Sequence, residues 1–235
     1  MFARYAYAPN QLGYCGPSDK SALSSGSVEQ IRAAARRFSG AWPYLQVLSR
    51  MTGVADPLDR RLVESYWLGG GLGADLDPER FLGQLLAVIG PQAGRYWLHL
   101  STELADEAAA NHCFHVFGVY PWSRLLGKVA DAAPVRILDS CRITPATVLT
   151  RRGDRIEVRC RQLSWDGREL RLTGPAPRQV QVWVAGYSAV PDVAPGDRVA
   201  LHWDRLCGRL DPAQVSDLQR CTTDQLAVTN RRLSG

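Results

Sequence analysis

Two ordered runs carry the residues best suited to chemistry. One reads Cys141-Arg-Ile-Thr-Pro145-Ala-Thr-Val148, and the other, some 50 residues later, reads Gly196-Asp197-Arg-Val-Ala-Leu-His202. They put a thiol ahead of a β-rich segment and an imidazole at the end of a later strand of the same segment, and in a small barrel two such positions can meet. A thiolate and a neutral imidazole together suit iron, copper or zinc rather than magnesium or calcium. Each residue also has a plainer role open to it. Free cysteine is often buried as a small hydrophobe, and His202, between Leu201 and Trp203, could be structural.

A second cluster is His112-Cys113-Phe-His115. On a strand, Cys113 and His115 share a face; on a helix, His112 and His115 do. No Cys-x-x-Cys or His-Glu-x-x-His pattern accompanies it, and the apolar text around it suits a buried, satisfied histidine as well as a ligand. Gly13-Tyr14-Cys15-Gly16-Pro17 places a third thiol among turn residues, where an accessible loop cysteine is expected. Such a thiol becomes a nucleophile only when a base lowers its pKa, and none is adjacent in sequence. Cys207, five residues beyond His202, is a candidate third ligand, whereas Cys160 and Cys221 suit core positions.

The chain that must position these groups has 235 residues, enough for one or two domains. Its 46% hydrophobic and 22% charged content are ordinary for a globular protein. The net charge is +5, but only Lys20 and Lys128 are lysines, and the arginines are scattered as singles and pairs among acids. A solvated surface is expected, with no nucleic-acid partner, because nucleic-acid binders concentrate charge on one face. The N-terminal segment lacks the apolar core of a signal peptide, and no apolar run approaches the ~20 residues that span a bilayer. A cytoplasmic protein without membrane association is expected, its six cysteines reduced.

The periodicity changes near residue 134. Before it, helical spacing dominates: Ser27 and Gln30 open a helix whose stripe is Ile31, Ala34, Ala35 and Phe38. Pro43 to Met51 forms another. Asp56-Pro57 starts a third, buried through Leu58, Leu62, Tyr66 and Trp67. Gly69-Gly70-Gly71-Leu-Gly73 reads as a connector, since it follows a helix and carries no Lys-Ser/Thr. Asp77-Pro78 caps a helix through Leu82, Leu85, Leu86 and Ile89, and a further one is expected from Gln92 to Leu104. From Pro134 strands and turns are expected: 142–150, 155–162, 168–172, 180–184 and 198–203, with Ile156, Val158, Val182 and Val199 pointing inward. Five short strands in this length suggest a small closed or partly open barrel. A last helix is capped by Asp211, with Pro212 first and Gln214 third, and buries Val215, Leu218, Thr222 and Leu226. The fold class is therefore α+β, with a helical domain over 1–133 and a barrel plus C-terminal helix over 134–235.

The stretch from Cys141 to about Val228 resembles the HypC/HupF family of small nickel-iron hydrogenase maturation chaperones. The resemblance rests on an ordered set: Cys141-x-x-x-Pro145, Val148, Gly153-Asp154, Ile156-Glu-Val158, Gly196-Asp197-x-Val199-x-x-His202 and Leu210-Asp211. It covers roughly the last 40% of the chain. It implies an OB-like barrel that carries an iron fragment, with Cys141 as thiolate ligand and His202 as imidazole ligand. It implies as partner a hydrogenase large subunit or another maturation factor. The family's cysteine is N-terminal, whereas Cys141 is internal, so no α-amino group assists here. The middle, Ser164 to Pro195, is also lengthened.

A non-enzymatic accessory factor follows from this, with the helical half recognising a partner. Seven tryptophans, at 42, 67, 97, 122, 165, 183 and 203, exceed what one such core needs, and exposed ones would mark an interface. The rival expectation is an enzyme that uses Cys15 or the His112/His115 pair on a small molecule held between the halves.

Overall fold

The protein is described here as a computed structural model covering residues 1–90, 100–129 and 132–234. It is mixed α and β, with helices, a five-stranded sheet and a C-terminal helix. The chain opens with α1 (Phe2–Gln11), followed by α2 (Ala22–Ser25), α3 (Val28–Ala35), α4 (Ala41–Thr52), α5 (Arg60–Leu68) and α6 (Pro78–Ile89). The expected start of α3 is present, with Ser27 and Gln30 bonded reciprocally as a capping box. Asp77 caps α6 through the Arg80 amide. The expected start of α5 at Asp56 is corrected. Asp56 Oδ1 accepts from the Leu58 amide and pairs with Arg32 at 2.9 Å, which holds a turn, and Asp59 is the cap.

The glycine connector is required by close approach. Gly69 and Gly70 have φ of +74° and +65°, and a Cβ there would lie 2.2 Å from the Cys221 sulfur and 2.0 Å from the Asp217 carboxylate. Only glycine lets the last helix lie this close. The helix expected from Gln92 to Leu104 falls largely outside the described residues, and Thr102–Glu107 is a 3₁₀ turn.

Next come α7 (His112–Phe114), which runs straight into a π turn over His115–Val119, and α8 (Ala133–Cys141). The expectation that strands begin at Pro134 is therefore corrected. Pro134 occupies the first turn of a helix, and Cys141 ends it with two residues between it and the first strand.

The strands are β1 (Thr144–Arg152), β2 (Arg155–Cys160), β3 (Leu163–Trp165), β4 (Leu170–Leu172), β5 (Ala176–Gln181), β6 (Arg198–His202) and β7 (Arg205–Arg209). Five of them close on themselves in the order β1-β2-β5-β7-β6, and β3-β4 form a separate hairpin. The expected strand at 168–172 thus lies outside the closed sheet, and its place is taken by β7. The interior is aliphatic: Val148, Ile156, Val158, Val180, Val182, Val199 and Leu201 are all buried in one cluster. The last helix, α9 (Pro212–Ser234), opens with the expected Asp211/Gln214 box.

The halves share one large core. Its cluster joins Tyr5, Phe38, Tyr44, Tyr66 and Trp67 to Ile143, Ala200, Cys207 and Leu218. Of the tryptophans, Trp67 is buried, Trp42, Trp122, Trp165 and Trp203 pack partly buried, and Trp183 is exposed; Trp97 lies outside the described residues.

Candidate metal centre

Three chain segments meet where α1, α7 and the β6–β7 turn converge on the end of α8. A two-residue turn, Trp203-Asp204, joins β6 to β7, with His202 paired to Arg205 and φ of +51° and +57° at the two central residues. Hairpins of this kind favour Asn-Gly. A tryptophan in the left-handed region is strained by about 1–3 kcal/mol and persists only where its surroundings impose it. Here the Trp203 amide donates to the Ser140 carbonyl at 2.8 Å, its ring stacks on Tyr14 at 3.9 Å, and Asp204 pairs with Arg178 at 2.5 Å. The turn aims His202 away from solvent and against α1.

The His202 ring is fixed by its partner. Nδ1 lies 2.7 Å from the Tyr5 carbonyl, which can only accept, so Nδ1 carries the proton and Nε2 keeps its lone pair. Nε2 is buried and has no partner of ordinary hydrogen-bond geometry among the described residues. An imidazole that donates one N–H to a carbonyl and leaves the other nitrogen free is the usual arrangement of a metal ligand. Burial lowers the His202 pKa to about 4, partly offset by the Tyr5 and Cys141 carbonyls, so the ring is neutral at pH 7.

His112 and His115 occupy i and i+3 at the entry to the π turn, so the helical alternative holds and both line the cavity. His112 Nε2 donates to the Cys141 carbonyl at 3.0 Å, and its Nδ1 accepts from the Tyr66 hydroxyl at 3.1 Å. His115 Nδ1 is buried without a partner among the described residues, and burial holds its pKa down to about 3. Gly40 makes room for this ring, because a Cβ there would come within 2.7 Å of His115 Nε2.

Cys141 is buried and its thiol is pushed far above the usual range by burial, then by Cys15 beside it; the Trp203 indole N–H nearby offsets this in part. The sulfur is a thiol unless a cation displaces the proton, as metal binding does. One ligand atom from each of His112, Cys141 and His202 lies within 4.8 Å of the other two. An inward movement of about 0.5–0.8 Å by each brings them to the 2.0–2.3 Å of Zn–N and Zn–S bonds. The donor set fits a borderline or soft first-row ion: one sulfur and one open imidazole, with a second imidazole available if a metal displaces one of the two partners on the His112 ring.

The cavity they face has a volume of about 140 Å³. Cys15 lines it as well and is half-buried, less accessible than the loop thiol expected. Asn10 Nδ2 donates to the Cys15 and Pro17 carbonyls and folds the loop inward, and burial raises the thiol to about 12. Two candidates are not brought in. Cys207 sits in the large core with its sulfur 3.5 Å from the Arg205 carbonyl, and Cys113 turns toward α9, 3.7 Å from Thr222 Oγ1. The residues that sequence reasoning missed are Tyr5 and Tyr66, which orient the two histidines. Tyr5 acts through its carbonyl, which leaves no side-chain signal.

The profile described as "Family of unknown function (DUF6390)" matches residues 1–235. No curated protein and no solved structure matches the chain.

Proposed function

The chain belongs to the DUF6390 family, and we propose that it binds a first-row transition metal or an iron fragment on Cys141 and His202 and serves nickel-iron hydrogenase maturation. The observation that carries the reading is the free, buried Nε2 of His202 facing the same cavity as the Cys141 thiol. These two residues sit in the ordered motifs that resemble the HypC/HupF family, and a closed five-stranded sheet followed by a helix is compatible with the OB-like barrel of that resemblance. His112 joins as third donor from the helical half. The protein is then a carrier or accessory factor whose partner is a hydrogenase large subunit or another maturation factor.

The enzyme reading draws on the same cavity, since Cys15, His112 and His115 all line it. Burial raises the Cys15 thiol to about 12, so it is a poor nucleophile at pH 7, and the metal reading is preferred. Deletion of the gene in the native host tests it: hydrogenase activity is expected to fall, and Cys141→Ala is expected to reproduce the loss while the protein stays folded. Full hydrogenase activity in the deletion strain contradicts the proposal.

A further inference from the structure

A second cavity of about 420 Å³ lies between the outer face of the barrel and α9. Its barrel wall is basic. Thr147 on β1 pairs in register with Arg159 on β2 and with Arg198 on β6, so two arginines flank one threonine across three adjacent strands. Side chains directly opposite in antiparallel strands share a face, and all three residues are exposed. Arg161, two positions beyond Arg159 on that face, closes one end.

The backbone under Arg161 is fixed. Buried Arg142 bonds Asp139 at 2.9 Å and also donates to the Arg161 carbonyl, while the Gln162 amide donates to Thr173 Oγ1 at 3.1 Å. Among the described residues no acidic one lines the cavity. Elsewhere on this part of the surface arginines hold acids: Arg171 pairs with Glu169, Arg209 with Asp192 and Asp197, and Arg220 with Asp217. Among the described residues Arg159, Arg161 and Arg198 have no such ion pair.

Three guanidinium groups gathered around a concave site without a counter-charge repel one another and match an anion, because guanidinium binds phosphate and carboxylate oxygens in a planar fork. The volume falls within the range of small-molecule sites. Among the described residues no aromatic ring lines it, and these offer no stacking platform for a base. We propose that this cavity binds a small polyanionic metabolite, a phosphate ester or a polycarboxylate, through Arg159 and Arg198 with Arg161 at one end. The site shares none of its residues with the metal cavity and stands or falls separately from it.

Calorimetric titration of the full chain with pyrophosphate and with citrate, at fixed ionic strength, tests it. Saturable one-to-one binding of at least one is expected, and the tighter of the two identifies the anion as phosphate or carboxylate. Arg159→Ala and Arg198→Ala are each expected to raise the dissociation constant about tenfold or more. Arg168→Ala, which removes an exposed arginine outside the cavity, should leave it unchanged. Circular dichroism and thermal melting establish that each variant is folded. The proposal is overturned if neither anion binds, if binding survives in folded Arg159→Ala/Arg198→Ala, or if Arg168→Ala weakens it equally. It is equally overturned if a single-stranded oligonucleotide binds and neither anion displaces it.

Discussion

The barrel interior and the seam between barrel and helices are both buried, yet they are built from different side chains. Inside the barrel Val148, Ile156, Val158, Val180, Val182 and Val199 pack in one largely aliphatic cluster. At the seam histidines, cysteines and tryptophans crowd a cavity, and His202 Nε2, His115 Nδ1 and Trp67 Nε1 are buried without hydrogen-bond partners among the described residues. An unsatisfied buried polar group costs about 1–3 kcal/mol, so the seam gives up stability that the barrel interior does not. The stable part of the fold is thus a scaffold, and its chemistry lies where two sets of elements meet.

The largest effect expected from breaking the seam is on metal affinity. Cys141→Ser and His202→Gln should each weaken binding of zinc or cobalt by more than about a hundredfold, beyond the 10–100-fold of outer-shell changes. Equilibrium dialysis of the folded variants measures it. The matching change in the barrel, Val158→Ala, removes buried methyl groups and should cost about 2 kcal/mol of stability by urea unfolding. Metal affinity per folded molecule should stay the same; a joint loss would mean that the two regions are not separable in this way.

Acid should act through the seam. Burial lowers the pKa of His112 well below its ordinary value, of His115 to about 3 and of His202 to about 4. The unfolded chain therefore binds protons near pH 6.5 that the folded chain refuses. Stability should fall as the pH drops from about 6.5 toward 4, by up to about 1.4 kcal/mol per pH unit per histidine. Thermal melting of the metal-free protein against pH reads this out, and His115→Gln should flatten the slope by one proton. The smallest effect is expected for Tyr66→Phe, which deletes the hydroxyl on His112 Nδ1. If a metal takes that nitrogen, affinity changes by less than about tenfold and can rise, since no hydroxyl competes with the metal.

The same contrast explains what was legible in the sequence. The barrel strands follow a period of two, so Ile156, Val158, Val182 and Val199 were readable as interior, and the Ser27, Asp77 and Asp211 caps were readable from local spacing. The β7 strand was not, because its turn is Trp203-Asp204 without glycine, held by the Ser140 carbonyl and Tyr14 far away in sequence. Helix α1 was not legible either, since Pro9 lies inside it and its buried residues run unbroken from Tyr5 to Asn10 rather than as a stripe. The pairing of Cys141 with His202 came from ordered motifs. That His112, His115 and Cys15 share their cavity depends on contacts across about 30 to 190 positions of chain, which no local pattern encodes.

The central claim is that Cys141 and His202 share one metal ion, and X-ray absorption at the metal edge of the cobalt- or zinc-loaded protein tests it most directly. One sulfur neighbour at about 2.3 Å with nitrogen neighbours at about 2.0–2.1 Å is expected, and Cys141→Ser should remove the sulfur shell alone. A first shell of oxygen and nitrogen only, or a sulfur shell that persists in Cys141→Ser, would contradict it.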